Sequence, residues 1–176
     1  VGNAAKADKI ATRTAKHINE RMDEDPAFYK KFSQLIEATI SEFYSKRISD
    51  LEYLKRMNDI RKNVLSKTDS TIPDEIKNHP SASAFYGIVY TFYEEKGIET
   101  DGLQEILVEA SLKINEIIEN KKVVNWHQNS DVIKKMSLEI GDFIYDEVRE
   151  KIGLDMKWSE VDKLTEQMIS VAKTRG

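Results

Sequence analysis

The string Pro73-Asp74-Glu75-Ile76-Lys77 sets two carboxylates beside a lysine. Metal-dependent nucleases use these residue types to hold Mg²⁺ and to stabilise charge at a phosphate. Such sites draw their acids from separate strands, well apart in sequence. Here the acids are adjacent, in a stretch that reads as linker, so the string is read as a turn followed by a short helical start. The three histidines are His17, His79 and His127. None pairs with another at i+3 or i+4 and the chain has no cysteine, so zinc-ligand spacing is not offered. They are read as structural or solvated. Neither a glycine-rich phosphate loop nor a Gly-x-Ser-x-Gly elbow occurs. Glu139, Asp142, Asp146 and Glu147 lie along one predicted helix. A two-metal bundle would also need Glu-x-x-His pairs, so these acids are read as a solvated face. No catalytic, cofactor-binding or metal-ligating residue is assigned.

Two residue classes point to binding. Basic side chains gather as Lys6, Lys9, Arg13, Lys16 and Arg21, then as Arg47, Lys55, Arg56, Arg61 and Lys62, and then as Lys121-Lys122 and Lys134-Lys135 on either side of Trp126. Arg47, Lys55, Arg56, Lys121, Lys122 and Lys134 are the candidate phosphate contacts. The net charge of −4 opposes nucleic-acid binding as the main task, and many of these cations are expected to pair with acids such as Asp8, Glu20, Asp50, Glu52 and Asp59. Aromatic residues form the second class. Phe85, Tyr86, Tyr90, Phe92 and Tyr93 occupy both sides of one predicted helix. One side is expected in a core and the other at a partner, because aromatics are favoured at interfaces. Phe85, Tyr86, Tyr90 and Tyr93 are therefore candidate docking residues.

The elements that must position these residues are all helical. Apolar residues make up 40% of the chain and charged residues 33%, which fits a globular domain rather than a disordered tail. No apolar run approaches the ~20 residues of a membrane span, and no signal-peptide pattern is present. With three prolines and seven glycines the chain is poor in the tight turns that sheets require. The expected fold is an irregular bundle of about seven helices, divided into two packed subdomains: residues 1–66, a linker at 67–80, and residues 81–176. The first helix covers about Ala4 to Met22. The second starts at Asp25-Pro26 and carries Phe28, Phe32, Leu35, Ile36, Ile40 and Phe43. Ser49-Asp50-Leu51-Glu52 reads as a capping box for the third, whose apolar face is Leu51, Leu54, Met57, Ile60, Val64 and Leu65. These two should form an antiparallel hairpin. The fourth runs from about Ser81 to a left-handed Gly97. The fifth covers Gly102 to Lys121, and Val123 to Trp126 follows as an extended link. Ser130 caps the sixth, which Gly153 ends. Ser159 caps the last, where Val161, Leu164, Met168 and Val171 make a narrow stripe suited to one neighbouring helix. The sequence opens on Val1, and the chain is read as part of something longer.

Several strings, in order, resemble a known family. Met22-Asp23-Glu24-Asp25-Pro26 with Tyr29 and Phe32-Ser33, followed by Leu51-Glu52-Tyr53-Leu54, is similar to the region just after the motor domains of type I restriction enzyme R subunits. Ala84-Phe85-Tyr86 and Val123-Val124-Asn125-Trp126 resemble two landmarks of that family's C-terminal helical domain, with Asn125 where the family often has aspartate. The resemblance implies an ATP-dependent DNA translocase and Mg²⁺-dependent endonuclease as the parent subunit, with those domains N-terminal to this segment. It implies that the segment helps dock the R subunit onto the methyltransferase core of M and S subunits, with the landmark residues Trp126 and Phe85-Tyr86 as candidate docking residues whose first role is packing and whose second is docking. DNA contact would be indirect, no membrane would be involved, and the location would be cytoplasmic. The alternative is an accessory helical module that touches nucleic acid and supports translocation; the third is a stand-alone helical enzyme with a carboxylate metal centre.

Overall fold

A computed structural model describes all 176 residues. The chain is all-α, an irregular helical bundle of seven helices. The helices are α1 (Asn3–Arg21), α2 (Pro26–Tyr44), α3 (Asp50–Ser66), α4 (Pro80–Glu95), α5 (Gln104–Lys121), α6 and α7 (Trp158–Thr174). The sixth, α6, runs Ser130–Phe143, passes through a π-helical turn Ile144–Val148 and ends in an α-helical turn Arg149–Ile152. No helix is long and apolar enough to cross a membrane. The chain divides into two compact units, Val1–Thr71 and Ile72–Gly176.

In the first unit, α1 carries Ala7, Ala11, Thr14 and Ile18 at alternating three- and four-residue spacing, and all four are buried. The stripe is mostly alanine, so α1 lies close on α3 although it has few large apolar residues. Asp25 caps α2 by accepting the Phe28 N–H at 3.3 Å, with Pro26 at the first helical position. Ser49 caps α3 through the Glu52 N–H at 3.1 Å. The expected reciprocal half of that capping box is not made, because the Glu52 carboxylate turns to Arg56 Nε at 3.1 Å instead. The short link after Tyr44 makes α2 and α3 an antiparallel pair. The apolar face of α3 differs from the expected one. Tyr53, Met57, Ile60 and Val64 are buried, while Leu51 and Leu65 are exposed, as is Leu35 on α2. At 100° per residue Leu51 falls nearly opposite that stripe. Lys67 ends α3 in the left-handed region, φ 55°, with the Thr68 N–H returning to the Asn63 carbonyl.

In the second unit α4 packs on both α5 and α7, and α6 also packs on both. His79 rather than Ser81 marks the start of α4, its ring Nδ1 accepting the Ala82 N–H at 3.2 Å. Residues 74–78 form a turn whose Ile76 is fully buried in this unit's core, so part of the expected linker belongs to the second unit. Gly97 closes α4 at φ 76° as the sequence requires. The expected extended link at Val123–Trp126 is instead a pair of turns. The Trp126 N–H meets the Val123 carbonyl, Asn125 takes φ 59°, and Trp126–Gln128 forms a 3-10 turn that carries the indole inward. Asn129, not Ser130, caps α6, by accepting the N–H groups of Asp131 and Val132. Helix α7 begins one residue before Ser159, and Glu160 reaches back to the Lys157 N–H at 3.0 Å. Its buried face is wider than a single stripe. Thr165, Ile169 and Ala172 join Val161, Leu164, Met168 and Val171, because α7 meets two helices rather than one.

Candidate interaction surfaces

The aromatic cluster of α4 is core. Phe85, Tyr86 and Tyr93 are at most 1% exposed, and Trp126 is 3% exposed. Tyr90 is half-buried and stacks on Tyr86 at 5.8 Å between ring centroids. The docking expectation is corrected for Phe85, Tyr86, Tyr93 and Trp126, which lie inside: α4 packs on both α5 and α7, and Tyr90 and Phe92 are half-buried. Aromatics that point in opposite directions are thus both buried. Three buried polar atoms in this core, the Tyr86 and Tyr93 hydroxyls and Trp126 Nε1, have no hydrogen-bond partner. Burial pushes both tyrosine hydroxyls up to about 12, since the phenolate has no water to stabilise it.

Of the six candidate phosphate contacts, Arg47, Lys55 and Arg56 belong to the first unit and Lys121, Lys122 and Lys134 to the second. Arg56 is held by Glu42 and Glu52. Lys121 pairs with Glu139, and Lys122 pairs with Glu119 at 2.8 Å while its ammonium sits 5.8 Å from the centre of the Trp126 ring. Those three cations are neutralised by neighbours, as i,i+3 and i,i+4 geometry and helix packing dictate. Arg47, Lys55 and Lys134 are exposed. Arg47 and Lys55 lie in the first unit and Lys134 in the second.

The acidic strings resolve into surface. Asp74 pairs with Lys77 at 3.4 Å in the turn before α4, and Glu75 is exposed. Asp142, Asp146 and Glu147 are exposed, and Glu139 is exposed beside Lys121. No three His, Cys, Asp or Glu side chains converge with metal-holding geometry. Among the histidines, His17 Nδ1 accepts from the Arg21 guanidinium at 3.2 Å, His79 caps α4, and His127 is exposed.

Other constellations escape a reading by spacing, because their members are distant in sequence. Asp8 on α1 accepts two hydroxyls, Tyr53 at 2.7 Å and the exposed Tyr44 at 3.0 Å. Asp25 is 5% exposed and receives the Lys67 ammonium at 2.8 Å. The same ammonium lies 4.0 Å from the Phe28 ring centre and 4.8 Å from that of Tyr29. This pins the start of α2 to the end of α3 through an ion pair and two cation–π contacts. Lys31 reaches Asp69 at 2.9 Å, and the Thr71 N–H and hydroxyl also hold that carboxylate. These donors keep Asp69 ionised below the usual carboxylate range, against the desolvation that opposes it.

One aromatic cluster does meet solvent. Trp158 is 48% exposed and stacks on Tyr145 at 4.2 Å, 17° between planes. The Arg149 guanidinium lies 4.1 Å from the Tyr145 ring centre, and its Nε donates to the Tyr145 carbonyl at 2.9 Å. Tyr145 belongs to the π-helical turn of α6, an irregularity frequent at functional sites. Beside that turn Ile106, Ala110, Phe143 and Val148 floor a cleft of about 200 Å³, with Glu109, Lys113, Glu147 and Lys151 also lining it. The signal in the sequence was the pairing of Tyr145 with Arg149 at i+4; the approach of Trp158 from α7 carries no local signature. No family model matches the chain, and no curated protein or solved structure matches it either.

Proposed function

We propose that this chain is the C-terminal helical assembly domain of a type I restriction enzyme R subunit, docking the ATP-dependent translocase and nuclease onto the methyltransferase core of M and S subunits. The observation that carries the reading is the ordered set of strings that resembles that family, considered with what those residues do in the fold. Asp25-Pro26 starts α2, Tyr53 is the buried anchor of α3, Phe85-Tyr86 centre the second core, and Trp126 closes the α5–α6 turn into it. Residues that organise a fold are the ones that relatives sharing it must keep. On this reading the chemistry that uses ATP and Mg²⁺ belongs to the motor and nuclease domains of the parent subunit, and the work of this chain is adhesion in the cytoplasm.

The surface best suited to that work is the Trp158–Tyr145–Arg149 stack. Tryptophan, tyrosine and arginine dominate the energetics of protein interfaces, because they offer large rigid area with polar edges. The experiment is titration calorimetry of the chain against purified methyltransferase core. The reading expects a saturable complex at low micromolar concentration that Trp158→Ala weakens. Absence of any complex at that concentration rejects it.

A further inference from the structure

The net charge of −4 conceals an opposition between the two units. Residues 1–71 hold fourteen Lys and Arg against eleven Asp and Glu, a net of +3. Residues 72–176 hold thirteen against twenty, a net of −7. Net charge therefore opposes phosphate binding in the second unit and not in the first.

Within the first unit one set of unpaired cations is grouped, while Lys30, Lys55, Arg61 and Lys62 are exposed without an ion pair on α2 and α3. Lys6, Lys9, Arg13 and Lys16 follow one another at about one turn on the solvent face of α1, and all four are exposed. Lys6, Lys9 and Arg13 have no acid partner, and Lys16 has only a 4.0 Å approach to Glu20. The nearest acid in sequence, Asp8, is occupied by Tyr44 and Tyr53. That clamp draws the turn between α2 and α3 to the same end of the unit as the start of α1. Lys46 and Arg47 in that turn are exposed and unpaired as well. Asp50 is the exposed acid beside them. Elsewhere in the unit acids already hold cations: Asp25 with Lys67, Asp69 with Lys31, and Glu42 and Glu52 with Arg56. The cation stripe on α1 is about 15 Å long at 1.5 Å per residue. A duplex presents a phosphate charge about every 1.7 Å of its axis, so each cation in the stripe has an anion within reach.

We propose that Lys6, Lys9, Arg13 and Lys16 of α1, with Lys46 and Arg47, form a docking surface for the phosphate backbone of duplex DNA. The α1 face between these cations carries Ala5 and Thr12, not the Trp, Phe or Leu that an interfacial helix buries in lipid. It presents no base-stacking aromatic of the kind single-strand binders use, and the aromatic near its start, Tyr44, has its hydroxyl tied to Asp8. Contacts of this kind hold the backbone without reading sequence. The choice of DNA over RNA rests on the functional reading above, whereas the preference for a phosphate backbone rests on the surface itself.

The test is a fluorescence-anisotropy titration of the whole chain with a mixed-sequence DNA duplex over a series of salt concentrations. The fourfold variant K6Q/K9Q/R13Q/K16Q is compared with K134Q/K135Q in the acidic unit, and circular dichroism checks that both remain helical. The expected result is duplex binding at low salt whose slope of log K on log salt becomes shallower by about 3 to 4 in the fourfold variant, with the K134Q/K135Q slope unchanged. The proposal is overturned by no duplex binding at low salt, by an equal loss in both variants, or by a fourfold variant that binds as the parent does. Stronger binding to single strands, to duplex RNA or to phosphatidylglycerol vesicles overturns it too. None of these outcomes bears on the calorimetric titration with the methyltransferase core, so the two readings fail separately.

Discussion

Asp8 and Tyr53, forty-five positions apart, meet at 2.7 Å: the carboxylate on α1 accepts the hydroxyl of a fully buried tyrosine on α3. The bond fixes the register of the two most closely packed helices of the first unit. Hydrogen bonds to a charged acceptor contribute roughly 1.5–3 kcal/mol. Tyr53→Phe is expected to destabilise the first unit by about 1–2 kcal/mol, because Asp8 keeps Tyr44 as a donor. Asp8→Ala removes the acceptor from both hydroxyls and strands one that is buried, so it is expected to cost more. Urea denaturation followed by circular dichroism measures both, and an equal or smaller loss in Asp8→Ala would contradict the clamp.

Lys67 holds a strained position for a reason. Its left-handed backbone favours glycine, and its ammonium serves the buried Asp25. Lys67→Met keeps the aliphatic stem over Phe28 and Tyr29 but leaves Asp25 with the Phe28 N–H at 3.3 Å. An uncompensated buried carboxylate is costly, so a loss of about 2 kcal/mol is expected in chemical denaturation. A variant as stable as the parent would contradict the ion pair.

The second unit should fail on the alkaline side. Tyr86 and Tyr93 ionise at about 12 in the fold and near 10 when unfolded. Their protonated forms are favoured by the fold, so their contribution is fully present below about pH 10 and is lost as the pH rises through about 12. Phenolate absorbance should lag behind that of the denatured chain over this window. Tyr86→Phe removes an unpartnered buried hydroxyl and is expected to raise stability by about 0.5–1 kcal/mol, as removal of an unsatisfied polar group should. A loss of similar size would show that the hydroxyl has a partner.

Gly141 is buried in α6 where it faces α7, and a Cβ added there would meet Val161 Cγ1 at 3.7 Å and Thr165 Oγ1 at 3.9 Å, ordinary contact distances. Glycine in a helix interior costs about 0.5–1 kcal/mol relative to alanine. Gly141→Ala is therefore expected to raise the thermal midpoint of the chain. A lowered midpoint would mean that α6 and α7 are closer than these distances.

Helix positions and helix ends set by local chemistry were legible in the sequence. Asp25-Pro26, Ser49 and Gly97 mark their boundaries because caps and left-handed residues act over three or four positions. The buried stripe of α7 was legible in position but not in width, because the second neighbour of a helix leaves no mark in its own period. The aromatics of α4 misled for the same reason, since only the packing of α7 decides whether Tyr93 is core or surface. The π-helical turn at Ile144–Val148 and the stack it presents depend on Trp158 arriving from another helix. The tilt of charge between the units was present in the sequence all along, and it emerged once the boundary at residues 71 and 72 was known.

Calorimetric titration of a methyltransferase core with the intact chain and with Trp158→Ala decides whether the chain docks there. The expected result is a saturable complex at low micromolar concentration, with about a tenfold or greater weakening in the variant, in keeping with loss of an interface tryptophan, while its helicity is unchanged. A heat trace indistinguishable from dilution for the intact chain would contradict it.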